Sequence, residues 1–276
     1  MVSRRLREAL PVAPRSGRAR KQDDLRRDVG RIARALGPVR ELDVALDEFQ
    51  DAGRCAAFGP VAVSALVAYL GDLRVDRMQE MERKLAQINL KRLSAALDDR
   101  ADGCASSRPS AWQNQLATRL RQRARRFAAE LRAAGTLYAS EPIHDVRVAG
   151  KKLRYTLELA GASAGVNVRT EVTRLKRLQE ALGRLHDLQV LQHFAREAAA
   201  ATPHPAIGAG LESMQRVLEA ECRQLHARFL SNAGPLMDVA DRSRIELPAL
   251  VALGAVARGL KAGPAMLRVV RRARTA

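Results

Sequence analysis

Three observations predict an all-α protein. Ala, Leu and Arg dominate the 276 residues, aromatics make up only 3%, and strand-forming runs are scarce. Apolar residues return at three- and four-residue spacing over long stretches, the period that gives a helix one buried stripe. Two blocks of sequence also recur at nearly one offset. Met1–Leu10 (MVSRRLREAL) matches Val148–Leu157 (VAGKKLRYTL) 147 positions on, and Ala35–Val44 (ALGPVRELDV) matches Ala181–Val190 (ALGRLHDLQV) 146 positions on. The prediction is a tandem duplication of a helical bundle.

The elements follow in order. Met1 sits where the second copy has Val148, so counterparts of His144, Arg147 and the segment 111–140 would lie upstream of it. The expectation is a truncated domain or a misplaced start. Residues 11–17 read as a turn, and 18–50 as one helix or two joined at Gly37-Pro38. Gly59-Pro60 breaks the chain before a long helical region over 61–99. The segment 101–110 (ADGCASSRPS) reads as a linker. A basic helix over 112–137 carries Arg119, Arg123 and Arg126 on one stripe, beside Leu116, Leu120, Phe127 and Leu131.

After Glu141-Pro142 comes the stretch 143–160, IHDVRVAGKKLRYTLELA. Wound as a helix, it puts His144, Arg147, Lys151, Arg154 and Glu158 on one stripe, with Tyr155 at its edge. Val146, Ala149, Leu153 and Leu157 fall opposite. Residues 161–165 end this helix. The next buries Leu175, Leu178, Leu182 and Leu185, with Lys176, Gln179, Gly183 and Asp187 on another face. Gly183 costs a helix about 1 kcal/mol against Ala. Its counterpart is Gly37, which suggests close helix packing or backbone approach to a ligand. Residues 202–205 form a loop, and 208–230 the last bundle helix. The predicted units are 1–100, 111–235 and a basic tail, 236–276. Residues 247–276 hold six Lys/Arg and no acid. They read as an amphipathic segment for membranes or granules, or as a disordered basic arm.

Charge narrows the function. Lys and Arg number 48 against 30 Asp and Glu, a formal charge of +18, so an anionic partner is expected. The excess is segmental: residues 1–40 hold twelve bases and four acids, residues 41–100 eight bases and eleven acids. Cys55, Cys104 and Cys222 form no C-x-x-C pair and read as free thiols in a reducing, cytoplasmic setting. No secretory signal or membrane-length apolar run occurs. Catalytic signatures are missing too: no G-x-S-x-G, no Cys–His constellation and no Gly-rich phosphate loop. His144-Asp145 and His186-Asp187 invite a metal, but adjacent helical residues diverge by about 100° and do not chelate alone. No metal and no cofactor are expected.

The run H-D-x-R-V-A-x-K-K-L-R-Y at 144–155, followed by L-K-R-L-Q-E-A-L-G-x-L-H-D-L-Q-V at 175–190, resembles the CHAD family (conserved histidine α-helical domain). Residues 1–10 and 36–44 carry a weaker match, which lacks the family's first histidine. The resemblance covers roughly residues 1–235. It implies two bundles related by pseudo-twofold symmetry around a basic groove, and binding of inorganic polyphosphate rather than catalysis. Triphosphate tunnel enzymes, which sometimes accompany such domains, carry an E-x-E-x-K signature. Glu80, Glu82 and Lys84 spell it here, but they need a strand to point one way, and Leu73, Met81, Leu85 and Ile88 recur at helical spacing.

Polyphosphate is a flexible string of phosphates without bases, so its recognition calls for rows of Lys and Arg along helices. The expected principal contacts are His144, Arg147, Lys151, Lys152 and Arg154, with Arg4, Arg5 and Arg7 opposite. Arg119, Arg123, Arg126 and Lys176 come second. Two other readings stand beside this one. Nucleic acid would suit the charge but finds few aromatic stacking platforms. A helical scaffold on storage granules would use the basic tail as its anchor.

Overall fold

The computed structural model describes the backbone of residues 2–12, 19–50, 52–106 and 109–257, and the side chains of 6–12, 24–50, 53–100, 102 and 112–252. Among these there is no strand, and the all-α expectation holds. The helices are α1 (Val2–Ala9), α2 (Ala19–Asp47), α3 (Ala52–Phe58), α4 (Pro60–Ala86), α5 (Leu90–Ser106), α6 (Pro109–Ala133), α7 (Ser140–Ala164), α8 (Arg169–Ala201), α9 (Pro205–Ser231) and α10 (Ala233–Ala257). A 3-10 turn, Glu48–Gln50, follows α2.

Local signals were followed at some boundaries and overridden at others. Helix α2 runs unbroken through Gly37-Pro38. Pro38 removes one backbone donor, but the buried stripe Ala35, Val39, Leu42 and Ala45 continues across it, so packing holds the helix together. Asn89 starts α5 by accepting the Arg92 backbone N–H at 2.8 Å. Residues 101–106, expected as linker, extend α5.

The larger correction concerns the tail. Helix α10 occupies 233–257 and packs along α6 and against α7. Leu236, Val239, Ala240, Leu247 and Val251 are buried at helical spacing, and Arg242 pairs with the buried Glu171 of α8. As far as residue 252, then, the segment set apart as a basic tail, 236–276, supplies core. The tail reading rested on the acid-free stretch 247–276, whereas 236–246 carries Asp238, Asp241 and Glu246 between its apolar residues. The residues beyond 257 lie outside those described.

The chain forms two compact units. Unit 1 comprises 1–33, 88–179 and 232–276, and unit 2 comprises 34–87 and 180–231. Neither is a continuous stretch, and each draws on both 1–100 and 111–235. The cuts within α2 and α8 fall at 33/34 and 179/180, which are 146 positions apart, the offset of the sequence match.

In unit 1, Leu6, Leu10, Leu25, Val29 and Leu93 cluster between α1, α2 and α5. Trp112, Leu116, Leu120 and Phe127 of α6 are almost fully buried, as are Ile143, Leu153 and Leu157 of α7. In unit 2, Leu42, Leu66, Leu70, Leu182, Leu185 and Leu211 form the core, and a Cβ on Gly210 would lie 3.1 Å from Ala62 Cβ. Arg54 ties unit 2 together. It donates to both carboxylate oxygens of Glu221 at 3.1 and 2.9 Å, and its Nε lies 3.1 Å from Glu48, which Arg184 also binds.

Glu80, Glu82 and Lys84 lie on α4, where helical periodicity keeps Glu80 and Lys84 on one side and sends Glu82 to the other. Glu80 pairs with Lys84 at 2.7 Å and Arg77 at 3.0 Å, and these partners hold its carboxyl below the ordinary range. It is spoken for as a surface ion-pair acceptor.

Candidate polyanion-binding surface

All the candidate residues fall within unit 1. The side chains of Arg4 and Arg5, on α1, lie outside those described.

The surface is built on α7. Its N-cap is Ala139 in extended backbone, with Pro142 in the first turn, and its C-cap is Gly165 in the left-handed region (φ 66°), where glycine carries no Cβ penalty. Gly150 sets the depth of packing. A Cβ there would lie 3.1 Å from Leu178 Cδ2 of α8 and 3.3 Å from the Phe127 ring of α6. The absent side chain lets α7 press against both neighbours. Gly183 and Gly37 have no such role, since a Cβ at either would meet nothing within 4 Å. Close helix packing does not explain them.

With Ile143, Val146, Ala149, Gly150 and Leu153 buried, the opposite side of α7 stays accessible over its first half. His144 and Lys152 are exposed, and Arg147 and Lys151 are half-buried. This is the split that the helical wheel predicted. Over the second half, burial extends further around the helix, and Arg154 goes with it. Its side chain is 9% exposed, pairs with Glu158 at 3.2 Å and lies over the Tyr155 ring at 4.8 Å. Arg154 therefore presents no open guanidinium to solvent. Its counterpart in the sequence match, Arg7, is exposed.

The second-rank arginines divide. Arg119 and Arg123 both close on Glu8 of α1, a residue that sequence reasoning missed. Arg119 donates from Nε and a terminal nitrogen to Glu8 Oε2 at 3.0 and 2.8 Å. Arg123 donates to Oε2 at 3.0 Å and to Oε1 at 2.9 Å. The Glu8 side chain is 7% exposed, and the two arginines 18% and 24%. Burial pushes the Arg119 guanidinium below its ordinary value, while Glu8 pulls it back up. Arg126 pairs with Glu130 on its own helix but remains largely exposed. Lys176 is exposed on α8.

On another side of α6, Arg121, Arg125 and Arg132 are exposed and, among the described residues, pair with no acid. The only hint in the sequence was negative. No Asp or Glu lies three or four residues from any of them.

Among the described residues no group of three or more His, Cys, Asp or Glu is arranged to hold a metal ion, and His144 and His186 fall in different compact units. Nor is any described helix long and apolar enough to cross a membrane. Cys55 and Cys222 are free thiols, the first half-buried and the second buried, while Cys104 lies outside the described side chains.

No curated protein and no solved structure matches the chain. The family model of the CHAD domain matches residues 2–196, well over half the length, and begins where α1 begins. The chain belongs to the CHAD domain family.

Proposed function

We propose that this protein binds inorganic polyphosphate on unit 1, holding the anion without turning it over. One observation carries the reading: the family motif lies on a helix whose apolar side is buried and whose cationic side, His144, Arg147, Lys151 and Lys152, stays accessible. Rows of cations on a rigid helix suit a flexible phosphate string, because Arg engages two phosphate oxygens at once and Lys supplies a mobile point charge. The +18 charge supports long-range attraction of any polyanion. His144 donates to a phosphate oxygen, more strongly in its imidazolium form. The tandem duplication with pseudo-twofold symmetry belongs to this proposal, supported by unit boundaries that recur at the offset of the sequence match. We place the protein in the cytoplasm, in association with polyphosphate or storage granules.

The test is polyphosphate affinity at two salt concentrations, for the native chain and for Arg147→Glu/Lys151→Glu. Counterion release makes native binding fall steeply with salt, and the double variant loses it. Equal affinity for DNA of matched charge, lost equally in the variant, would replace the reading with general polyanion binding.

A further inference from the structure

The outward row of arginines on α6 has no part in the surface just described. Arg121, Arg125 and Arg132 lie within about 40° of one another around the helix. They span roughly 16 Å along its axis. The Glu8-bound pair, Arg119 and Arg123, lies on the other flank, more than about 120° away.

Two features describe this row. Some exposed arginines elsewhere pair with an acid three or four residues away, as Arg27 does with Asp24, Arg77 with Glu80 and Arg223 with Glu219, while others such as Arg34 and Arg196 have no acid at that spacing. The α6 row has no such acid, and Arg121 and Arg125 stand as like charges one turn apart. The helix thus carries an uncompensated repulsion that a bound anion relieves. Secondly, the exposed residues alongside, Thr118, Gln122 and Ala129, carry no charge. Three guanidinium groups thus follow one side of the helix among uncharged neighbours, and an extended chain of phosphates can lie along them.

We infer that the Arg121–Arg125–Arg132 row is a second polyphosphate-binding tract, which lets one protein molecule hold two chains and so cross-link them. The inference rests on the proposed function and deepens it. A protein with two tracts does more than coat polyphosphate. It gathers chains together by multivalency.

A sandwich assay tests this. Long-chain polyphosphate is immobilised, the protein is bound to it, and capture of a second, labelled polyphosphate from solution is measured. Native protein captures the labelled chain. The variant Arg121→Ala/Arg125→Ala/Arg132→Ala still binds the immobilised chain but loses capture. A charge-matched control, Arg40→Ala/Arg196→Ala/Arg216→Ala, removes three exposed arginines from unit 2 and captures as the native protein does. Undiminished capture by the α6 variant, or equal loss in the control, overturns the second tract. Failure of the native protein to bind the immobilised chain overturns the proposed function itself. If Arg147→Glu/Lys151→Glu binds that chain normally, the assignment to α7 falls, and the α6 variant still decides the second tract.

Discussion

Helix α6 carries arginines on two flanks that fare in opposite ways. Arg119 and Arg123 are mostly buried and spend four hydrogen bonds on one carboxylate, Glu8. Arg121, Arg125 and Arg132 are exposed and pair with no described acid. Residue type, helix and spacing are the same. What differs is whether another helix delivers an acid. An arginine row read from sequence is therefore a supply of charge, and tertiary contacts decide how much of it is available to a ligand.

The contrast can be broken most strongly at Glu8. Glu8→Leu leaves two largely buried guanidiniums without their counterion. Breaking a buried pair from one side costs about 3–5 kcal/mol, and the residual solvent access of both arginines sets the expectation at about 3 kcal/mol. Urea or thermal unfolding reads it, and an unchanged midpoint would mean that Glu8 does not bind these arginines. Arg119→Leu should cost less, about 1–2 kcal/mol, because Arg123 still neutralises Glu8. A double-mutant cycle with Glu8→Leu gives the coupling directly, and additive losses would disprove it.

Smaller effects sharpen the comparison from the exposed side. Arg126→Ala takes the partner from Glu130, whose side chain is only 10% exposed, and should cost about 1 kcal/mol or less because the arginine itself is largely in solvent. A loss as large as that of Arg119→Leu would show Arg126 to be as deeply engaged as its neighbours. Arg121→Glu should stabilise the free protein by about 0.5 kcal/mol, since Glu four residues before Arg125 turns a repulsion into a favourably oriented pair. The gain should shrink in high salt, where exposed charges are screened. A destabilised variant would mean that Arg121 makes a contact beyond its helix neighbours.

Much of this was legible in the sequence, and the exceptions share one cause. The two-sided character of the 143–160 stretch survives as the buried and accessible sides of α7 over its first half. It fails at Arg154, where burial wraps around the helix and Glu158 and Tyr155 take up the guanidinium. The segment after 235 was judged by its acid-free end, although Leu236, Val239, Leu247 and Val251 already spelled a buried stripe. Gly183 suggested close packing or backbone approach to a ligand, but of the two glycines it is at Gly150 that helices close in. A glycine's identity says that a side chain is absent, and only its neighbours say what fills the space.

By itself the sequence determined that the protein is all-α, strongly basic and a member of the CHAD family, and which side of the 143–160 helix carries its cations. Periodicity, composition and motif are properties of residues a few positions apart, and helices form on that scale. Only the tertiary structure decided which of the chain's cations are taken up by groups distant in sequence. Glu8 lies 111 residues from Arg119 and 115 from Arg123, and α10 reaches α6 from the far end of the described chain. Charge neutralisation and burial act through space, so pairing across that separation leaves no periodic trace in the sequence.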